Sequence, residues 1–155
     1  MTQVRHNAEE CPDFGGQGEQ AMLIEPYLFF AGRCEEAMDF YKGALGAEIA
    51  FMMRFKESPE PENNPPGMDE KIMHANLKIG EQCIMMSDGC GDGAAKFEGI
   101  SLSICPDSED EAQRIFDALS EGGEITMPLG KTFWAQCFGM VKDKFGVQWM
   151  VNFEG

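Results

Sequence analysis

The stretch CEEAMDFYKGALG at residues 34–46 decides the fold. Its apolar side chains recur every three or four positions, which predicts an amphipathic helix over residues 34–45, and Gly46 supplies the helix stop. A second stretch, SEDEAQRIFDALSEGG at residues 108–123, has the same design and begins with a Ser-x-x-Glu capping box. The two helix ends lie about half of the 155 residues apart, so the sequence predicts one large internal duplication.

Runs with strand character surround both predicted helices. Their β-branched and aromatic residues predict one strand before each helix and three after it. The predicted strands cover residues 24–30, 48–55, 72–79 and 82–87 in the first half, and 100–105, 124–127, 132–141 and 147–153 in the second. The predicted class is therefore α+β, with paired βαβββ modules that form a curved mixed sheet, carry the helices on its convex face and leave a concave cup.

Length and polarity bound the domain organisation. Residues 1–22 are polar, Gly-rich and without periodicity, which predicts a disordered or loosely attached arm. One domain then covers residues 23–155, with modules at about 23–88 and 99–154. No apolar run reaches the roughly 18–20 residues of a membrane span, and no signal peptide is recognisable. We expect a cytoplasmic protein whose six cysteines are mostly free thiols.

The charge balance disfavours two classes of partner. Twelve Lys and Arg residues stand against 27 Asp and Glu, which gives a formal net charge of −15. Binding to nucleic acid and attraction to anionic membranes both depend on Lys and Arg, so we expect neither partner. The acidic, Pro-rich loop at residues 56–70 is interpreted as a solvated excursion, although in a dimer it would instead cover the partner's cup.

Short motifs in both halves point to a known family. They are PYLFF at residues 26–30, FY at 40–41, LGA at 45–47, HAN at 74–76, MMSD at 85–88, TFWA at 132–135, FG at 138–139 and DKFGVQW at 143–149. Together they resemble the PhnB-like branch of the vicinal oxygen chelate superfamily, which includes glyoxalase I, extradiol dioxygenases and bleomycin-resistance proteins. The resemblance covers residues 23–154 and implies the glyoxalase/bleomycin-resistance-like fold, a small-molecule ligand and a homodimer.

The metal-ligand positions of the superfamily are changed in this chain. The resemblance places them at Pro26, Met85, Gly99 and Met150, with Met86 or Ile100 if the register slips. None is a hard oxygen or nitrogen donor, and a thioether does not suit Mg²⁺, Mn²⁺, Ni²⁺ or Fe²⁺. A slip in the first strand offers only the carboxylate of Glu25, and the chain has two histidines, His6 and His74. We therefore predict no metal and no other cofactor, with a divalent metal as the alternative.

Strand alternation predicts an apolar, Met-containing cup with a few polar groups, which is the composition of a small-molecule pocket. His74 is the candidate catalytic residue, because an imidazole suits general-base chemistry, although a structural role is the simpler interpretation. Trp134 is a candidate for stacking on a planar ligand, and Cys83 for a nucleophile without a recognisable His partner. The pocket candidates are Leu28, Phe30, His74, Asn76, Met85, Ser87, Ser101, Ser103, Trp134, Gln148, Met150 and Asn152.

Two functions are compatible with these features. The first is metal-independent binding or sequestration of a small organic molecule, by analogy with the bleomycin-resistance relatives. The alternative is a lyase, isomerase or dioxygenase of the glyoxalase type with an unmatched divalent metal site. Members of the branch have also carried the label 3-demethylubiquinone methyltransferase, but the chain has no strand followed by G-x-G-x-x-G and a helix to hold S-adenosylmethionine.

Overall fold

The computed structural model describes residues 22–89 and 93–155. Nearly all of the predicted arm, residues 1–22, lies outside these ranges. The repeated βαβββ order and the α+β class are confirmed. The first half contains β1 (Tyr27–Phe29), α1 (Cys34–Leu45), β2 (Glu48–Arg54), β3 (Ile72–Ile79) and β4 (Gln82–Ser87). The second half contains β5 (Leu102–Ile104), α2 (Glu109–Ser120), β6 (Glu124–Gly130), β7 (Cys137–Lys142) and β8 (Gln148–Phe153).

The strands are distributed over two four-stranded mixed sheets rather than over one curved sheet. The first sheet has the order β1-β4-β3-β2, and the second has the matching order β5-β8-β7-β6. In each sheet the strand before the helix runs parallel to the last strand of its module, and the other neighbours are antiparallel. The described residues form two compact units that divide at Gly93, except that Gly43–Leu45 belong to the second. Neither helix of the described ranges has the length and apolar character that a bilayer crossing needs.

Helix α1 spans the residues that its periodicity predicts, but its N-terminus is capped from a distance. The N-cap residue Arg33 makes no side-chain cap bond. Instead, Oδ1 of Asp88 accepts hydrogen bonds from the backbone N–H groups of Gly32 and Cys34, both at 2.8 Å. Oδ2 of Asp88 accepts a third bond from the N–H of Ile72, also at 2.8 Å. This buried carboxylate therefore joins α1, β3 and the end of β4, and it lies at the favourable end of the helix dipole.

A second buried carboxylate, Asp143, organises the turn between β7 and β8. Its Oδ1 accepts hydrogen bonds from the N–H groups of Phe145 and Val147 at 2.9 and 3.0 Å. Its Oδ2 accepts one from the indole Nε1 of Trp149 at 2.9 Å. Gly146 completes the turn with a φ of 91°, a conformation that favours glycine. The DKFGVQW motif is thus a turn whose carboxylate is bonded within the motif itself.

One face of each sheet packs against the helix of its own module. In the first unit the ring of Phe30 contacts the ring of Tyr41 on α1, with 6.3 Å between centroids. In the second, Gly139 on β7 permits the close approach of α2, because a Cβ atom there would lie 2.7 Å from the Phe116 ring. Trp149 is buried, as the alternation along β8 predicts. We call the opposite face of each sheet its open face.

The predicted strand at residues 132–141 is only half correct, because β7 begins at Cys137. Thr132 and Ala135 form a closed local turn instead. The N–H of Thr132 donates to the carbonyl oxygen of Ala135 at 3.0 Å, and the N–H of Ala135 donates to Oγ1 of Thr132 at 3.1 Å. Local side-chain bonds of this kind compete with strand pairing. The turn carries the exposed side chains of Phe133 and Trp134.

Gly123 lies immediately before β6, and its replacement by alanine tests how closely the second sheet is packed at this position. A Cβ atom there would collide with the backbone carbonyl oxygen of Lys142, whereas one at Gly130 would meet nothing within 4 Å. We expect Gly123→Ala to lower the free energy of unfolding by about 2–3 kcal/mol, because the collision is with backbone. The matched change Gly130→Ala should cost less than about 0.5 kcal/mol. Urea titration followed by circular dichroism measures both, and equal losses would show that β6 shifts freely.

Candidate ligand-binding faces

The open face of the first sheet carries a cross-strand row of side chains. Backbone pairing joins Tyr27 to Met85, Met85 to Asn76, and Asn76 to Phe51. Directly paired residues point to the same face, so the four side chains lie side by side across the sheet. His74 shares this face because it lies two residues before Asn76 on β3. Three predicted pocket residues, His74, Asn76 and Met85, are thus brought together with two aromatic side chains.

Three aromatic rings and the imidazole of His74 form an aromatic cluster on this face, defined as Tyr27, Phe29, Phe51 and His74. The Tyr27 hydroxyl and Nδ1 of His74 are 2.9 Å apart and share a hydrogen bond whose donor depends on the imidazole tautomer. The His74 ring lies 5.6 Å from the Tyr27 ring and 5.9 Å from the Phe51 ring. Phe29 is 54% exposed. Grouped exposed apolar side chains of this kind are typical of binding surfaces.

Three predicted pocket residues of the first unit lie elsewhere. Leu28 and Phe30 are buried on the helix-covered face. The prediction that they lie on the open face is therefore wrong, because the inward and outward positions on β1 are shifted by one residue. The alternation is weak there because β1 has only three residues, all of them apolar or aromatic. Ser87 is also buried, and its Oγ accepts a hydrogen bond from the N–H of Gly89 at 3.0 Å. Its hydroxyl therefore serves a local turn.

The second sheet brings several predicted residues to its own open face. Backbone pairing joins Ser103 to Met150 across β5 and β8. Gln148 lies two residues before Met150, and its Nε2 donates a hydrogen bond to the carbonyl oxygen of Phe97 at 2.9 Å. Ser101 lies just before β5 and is half-buried, whereas Ser103 is exposed. This face therefore combines a thioether with amide and hydroxyl groups.

Three aromatic rings lead from the second open face into solvent. The Trp134 ring contacts the rings of Phe133 and Phe138 edge-on, with centroid distances of 4.7 and 5.2 Å. Phe138 pairs with Asn152 across β7 and β8. Phe133 is 97% exposed and Trp134 45%. Trp134 has the exposure that stacking on a ligand requires.

Each open face contains an asparagine whose buried oxygen lacks a hydrogen-bond partner. Within the described ranges, Oδ1 of Asn76 and Oδ1 of Asn152 are the two buried side-chain polar atoms of this kind. Nδ2 of Asn152 donates to Oε1 of Glu154 at 3.4 Å. An unpaired buried amide oxygen costs about 1–3 kcal/mol. Native proteins contain few such atoms, and each requires a physical explanation.

The cysteines differ in state and environment. Cys83 is disulfide-bonded, which contradicts the hypothesis that its thiolate is a nucleophile. Cys34, Cys105 and Cys137 are free. Burial and the carboxylate of Asp88 raise the pKa of the Cys34 thiol well above its ordinary value. Because the thiolate is the reactive form, Cys34 is an inert core residue.

Two ion pairs lie at the base of the acidic loop at residues 56–70, one just before it and one between its two ends. Arg54 forms a bidentate pair with Glu35 on α1, with N–O distances of 2.7 and 3.0 Å. The hydrogen bond from Arg54 lowers the pKa of the Glu35 carboxyl below its ordinary value. Lys56 binds Glu70 at 2.9 Å and likewise lowers the pKa of that carboxyl. Most residues of the loop are exposed, which fits the solvated interpretation.

The positions that the superfamily uses for metal do not fit a hard cation here. Pro26 precedes β1, and Met85 and Met150 lie on β4 and β8. Gly99 has no side chain, and thioethers bind hard divalent ions poorly. Within the part of the chain that the structure describes, no three His, Cys, Asp or Glu residues converge as a metal site. The donor set therefore does not suit the superfamily's divalent metal, and metal independence stays a prediction.

Comparison with known proteins decides the family. The family model described as 3-demethylubiquinone-9 3-methyltransferase matches residues 22–152. The chain belongs to this family. Protein YjdN of Escherichia coli (strain K12) is 43% identical to this PhnB-like family member over 139 residues, which are 84% of this chain and 95% of YjdN.

Solved structures agree with this placement. Protein PA1353 from Pseudomonas aeruginosa is 45% identical, covers 86% of this chain and 98% of its own, and gives a TM-score of 0.78. The PhnB protein from Bacillus cereus is 30% identical, covers 85% and 99%, and gives 0.73. The fosfomycin resistance protein FosX from Listeria monocytogenes is 12% identical, covers 87% and 94%, and shares the fold alone, with a TM-score of 0.57. The PhnB-like resemblance and the glyoxalase/bleomycin-resistance-like fold are confirmed.

Sequence reasoning missed most of the aromatic cluster of this PhnB-like protein. The prediction places Leu28 and Phe30 in the pocket and therefore leaves out Tyr27 and Phe29, which alternate with them on β1. Phe51 lies in the run IAFMM at residues 49–53, whose apolar residues give no polar alternation to show which side faces outward. The available signal was the HAN motif, since His74 and Asn76 mark the open face of β3, but pairing Phe51 with Asn76 required the strand register.

Proposed function

We propose that this PhnB-like protein binds a small, planar organic molecule on its open sheet faces without a metal. The observation that supports the proposal is the aromatic cluster, in which the exposed ring of Phe29 and the half-buried ring of Phe51 lie beside the hydrogen-bonded pair of Tyr27 and His74. Apolar walls with a few polar groups are the usual lining of small-molecule sites. Aromatic side chains also pack favourably, offset or edge-on, against planar conjugated systems.

The polar pair gives a bound molecule a preferred orientation. The hydrogen bond to Tyr27 holds the imidazole of His74 between the Tyr27 and Phe51 rings. An imidazole held in this way can form a directed hydrogen bond with a ligand or exchange a proton with it. His74 therefore stays the candidate catalytic residue, although binding alone requires no proton transfer.

The activity is proposed from the site and not from the family description. That description names methyl transfer, yet no G-x-G-x-x-G segment follows a strand in this sequence. FosX shares only the fold, and a fold supports many unrelated functions. The homodimer that the resemblance implies is part of the proposal, and sedimentation of the full chain tests it.

Phe51→Ala is expected to weaken binding of a planar probe by about tenfold, because the loss of one aromatic contact costs about 1.4 kcal/mol. The probes are bicyclic aromatics such as 1-naphthol and 2-methoxyquinoline, which should raise the melting temperature of the wild-type chain in proportion to their affinity. The matched control is Ile125→Ala, which removes an exposed apolar side chain from β6 and should leave the affinity unchanged.

The same titration tests the metal-independent part of the proposal. Extensive dialysis against a chelator should leave the probe's dissociation constant unchanged. Stoichiometric manganese, iron, nickel or zinc that disappears on substitution of His74 or Glu25 would contradict metal independence. Absence of any melting shift with all the planar probes would contradict binding itself.

A further inference from the structure

Tyr27 and His74 are joined by a hydrogen bond between two groups that can each donate or accept. The Tyr27 hydroxyl lies 2.9 Å from Nδ1 of His74. The imidazole packs against the rings of Tyr27 and Phe51, with centroid distances of 5.6 and 5.9 Å. A contact of 4.9 Å between the ring centroids of Tyr27 and Phe29 holds the phenol in turn. The bond therefore joins two rings that are already oriented by packing.

The chemistry of the two groups decides which of them donates. Near neutral pH an ordinary phenol carries one proton and a neutral imidazole carries one, so either group can supply the bond. The phenol hydroxyl is the more acidic donor, and a bare imidazole nitrogen is far more basic than a phenol oxygen. The stronger donor meets the stronger acceptor only when Tyr27 donates to Nδ1 of His74. A carboxylate in place of the phenol would only accept, and it would hold the ring proton on Nδ1 instead.

This direction of the bond fixes the chemistry that the imidazole of His74 can offer. The nitrogen that carries the ring proton is set by the hydrogen bond that the other nitrogen makes. When Nδ1 accepts from Tyr27, the proton of the neutral ring lies on Nε2. The ring then donates a hydrogen bond through Nε2 and takes no proton from a ligand. A general base would instead need a bare ring nitrogen.

We infer that Tyr27 is a positioning residue that keeps the proton of His74 on Nε2, so that the site selects planar ligands with an acceptor such as a carbonyl oxygen at the ring edge. This inference rests on the proposed function and names the ligand class for the same site. The Nε2–H group donates to the ligand oxygen and polarises it. A ligand that can only donate finds no acceptor on this ring.

Nitrogen-15 NMR of the full chain reports the tautomer without a ligand. The substitution His6→Gln leaves His74 as the single histidine of the sequence. At about pH 8 an ordinary imidazole is neutral, and its bare and protonated nitrogens give well separated signals. We expect the bare-nitrogen signal at Nδ1 and the N–H signal at Nε2. Tyr27→Phe should move both signals towards the average of two exchanging tautomers. Tyr41→Phe removes the other phenol hydroxyl, on α1, and should leave both signals in place.

Isothermal titration with 1-indanone and indole tests the ligand class. These bicyclic probes are similar in size, but 1-indanone presents only a carbonyl acceptor and indole only an N–H donor. Tyr27→Phe frees a bare nitrogen in part of the molecules, so indole gains an acceptor that the wild type withholds. The ratio of the indole to the 1-indanone dissociation constant should therefore fall by about fivefold, which corresponds to one neutral hydrogen bond. Tyr41→Phe is the matched control and should keep the wild-type ratio.

Each contrary result identifies the part that fails. A protonated Nδ1 in the wild type would overturn the inference, because His74 would then donate to Tyr27 and keep a basic Nε2, while the proposed binding of planar molecules would stand. Ring signals that do not respond to Tyr27→Phe would overturn the positioning role, and an unchanged ratio of dissociation constants would overturn the ligand class. Failure of both probes to bind would overturn the proposed function and the ligand class together, whatever the ring signals show.

Discussion

Asp88→Ala is expected to lower the free energy of unfolding by about 4 kcal/mol, since it leaves two buried N–H groups and one half-buried N–H group without their charged acceptor. Those groups belong to Gly32, Cys34 and Ile72, each bonded at 2.8 Å. The variant also removes the cap of α1. The side chain of the N-cap residue Arg33 makes no cap bond that could replace it. For a chain of this size the melting temperature should fall by roughly 8–16 °C.

The matched control is Asp69→Ala, which removes the same charge from an exposed position in the acidic loop. Circular dichroism during urea and thermal unfolding measures both variants. The control should unfold almost as the wild type does, because its carboxylate is solvated. If the two variants lose the same stability, the effect of Asp88 is one of net charge and the three backbone bonds are unimportant.

Asp143→Asn is the variant with the second large expected effect. We expect it to lower the free energy of unfolding by about 2–3 kcal/mol, although the asparagine side chain has nearly the same shape as that of aspartate. The amide oxygen can still accept from Phe145 and Val147, as Oδ1 does now. The amide nitrogen then stands opposite the indole N–H of Trp149, where Oδ2 now accepts at 2.9 Å. Two donors face each other in a buried turn, and rotation of the amide would only move the conflict to the backbone N–H groups.

A double-mutant cycle with Trp149→Phe isolates this conflict. Phenylalanine removes the indole donor. The loss in free energy of unfolding of the double variant should therefore be smaller, by at least about 1 kcal/mol, than the sum of the losses of the two single variants. The folded fraction in urea, followed by circular dichroism, provides the four free energies. Additive losses would mean that the Trp149 bond contributes nothing and that the cost of Asp143→Asn arises elsewhere in the turn.

The sequence predicts the elements of this fold wherever a local pattern and its stop signal coincide. Helix α1 ends at Gly46 with a φ of 65°, and the Oγ of Ser108 accepts the N–H of Glu111 at the start of α2, as the capping box requires. The segment at residues 132–136 fails for the opposite reason. Its aromatic residues favour a strand, but a Thr132 turn replaces the strand pairing.

The candidate site is less predictable because it depends on relations between strands. Alternation identifies His74 and Asn76 correctly on β3, where polar residues mark one face. It fails on β1, where neighbouring residues are all apolar or aromatic, and it cannot show that Phe51 is opposite Asn76. The remote cap by Asp88 is hidden for the same reason, since 54 residues separate it from Cys34.

The two buried carboxylates also imply different moments of formation during folding. The bonds of Asp143 close segments of two to six residues, whereas Asp88 reaches Gly32 over 56 residues. Closing the segment of 56 residues costs about 2 kcal/mol more in chain entropy than closing a segment of six residues. The β7–β8 turn can therefore form while most of the chain is still disordered. We expect the start of α1 to become fixed only after β4 has joined the first sheet, so that the N-terminal half acquires its final helix boundary late.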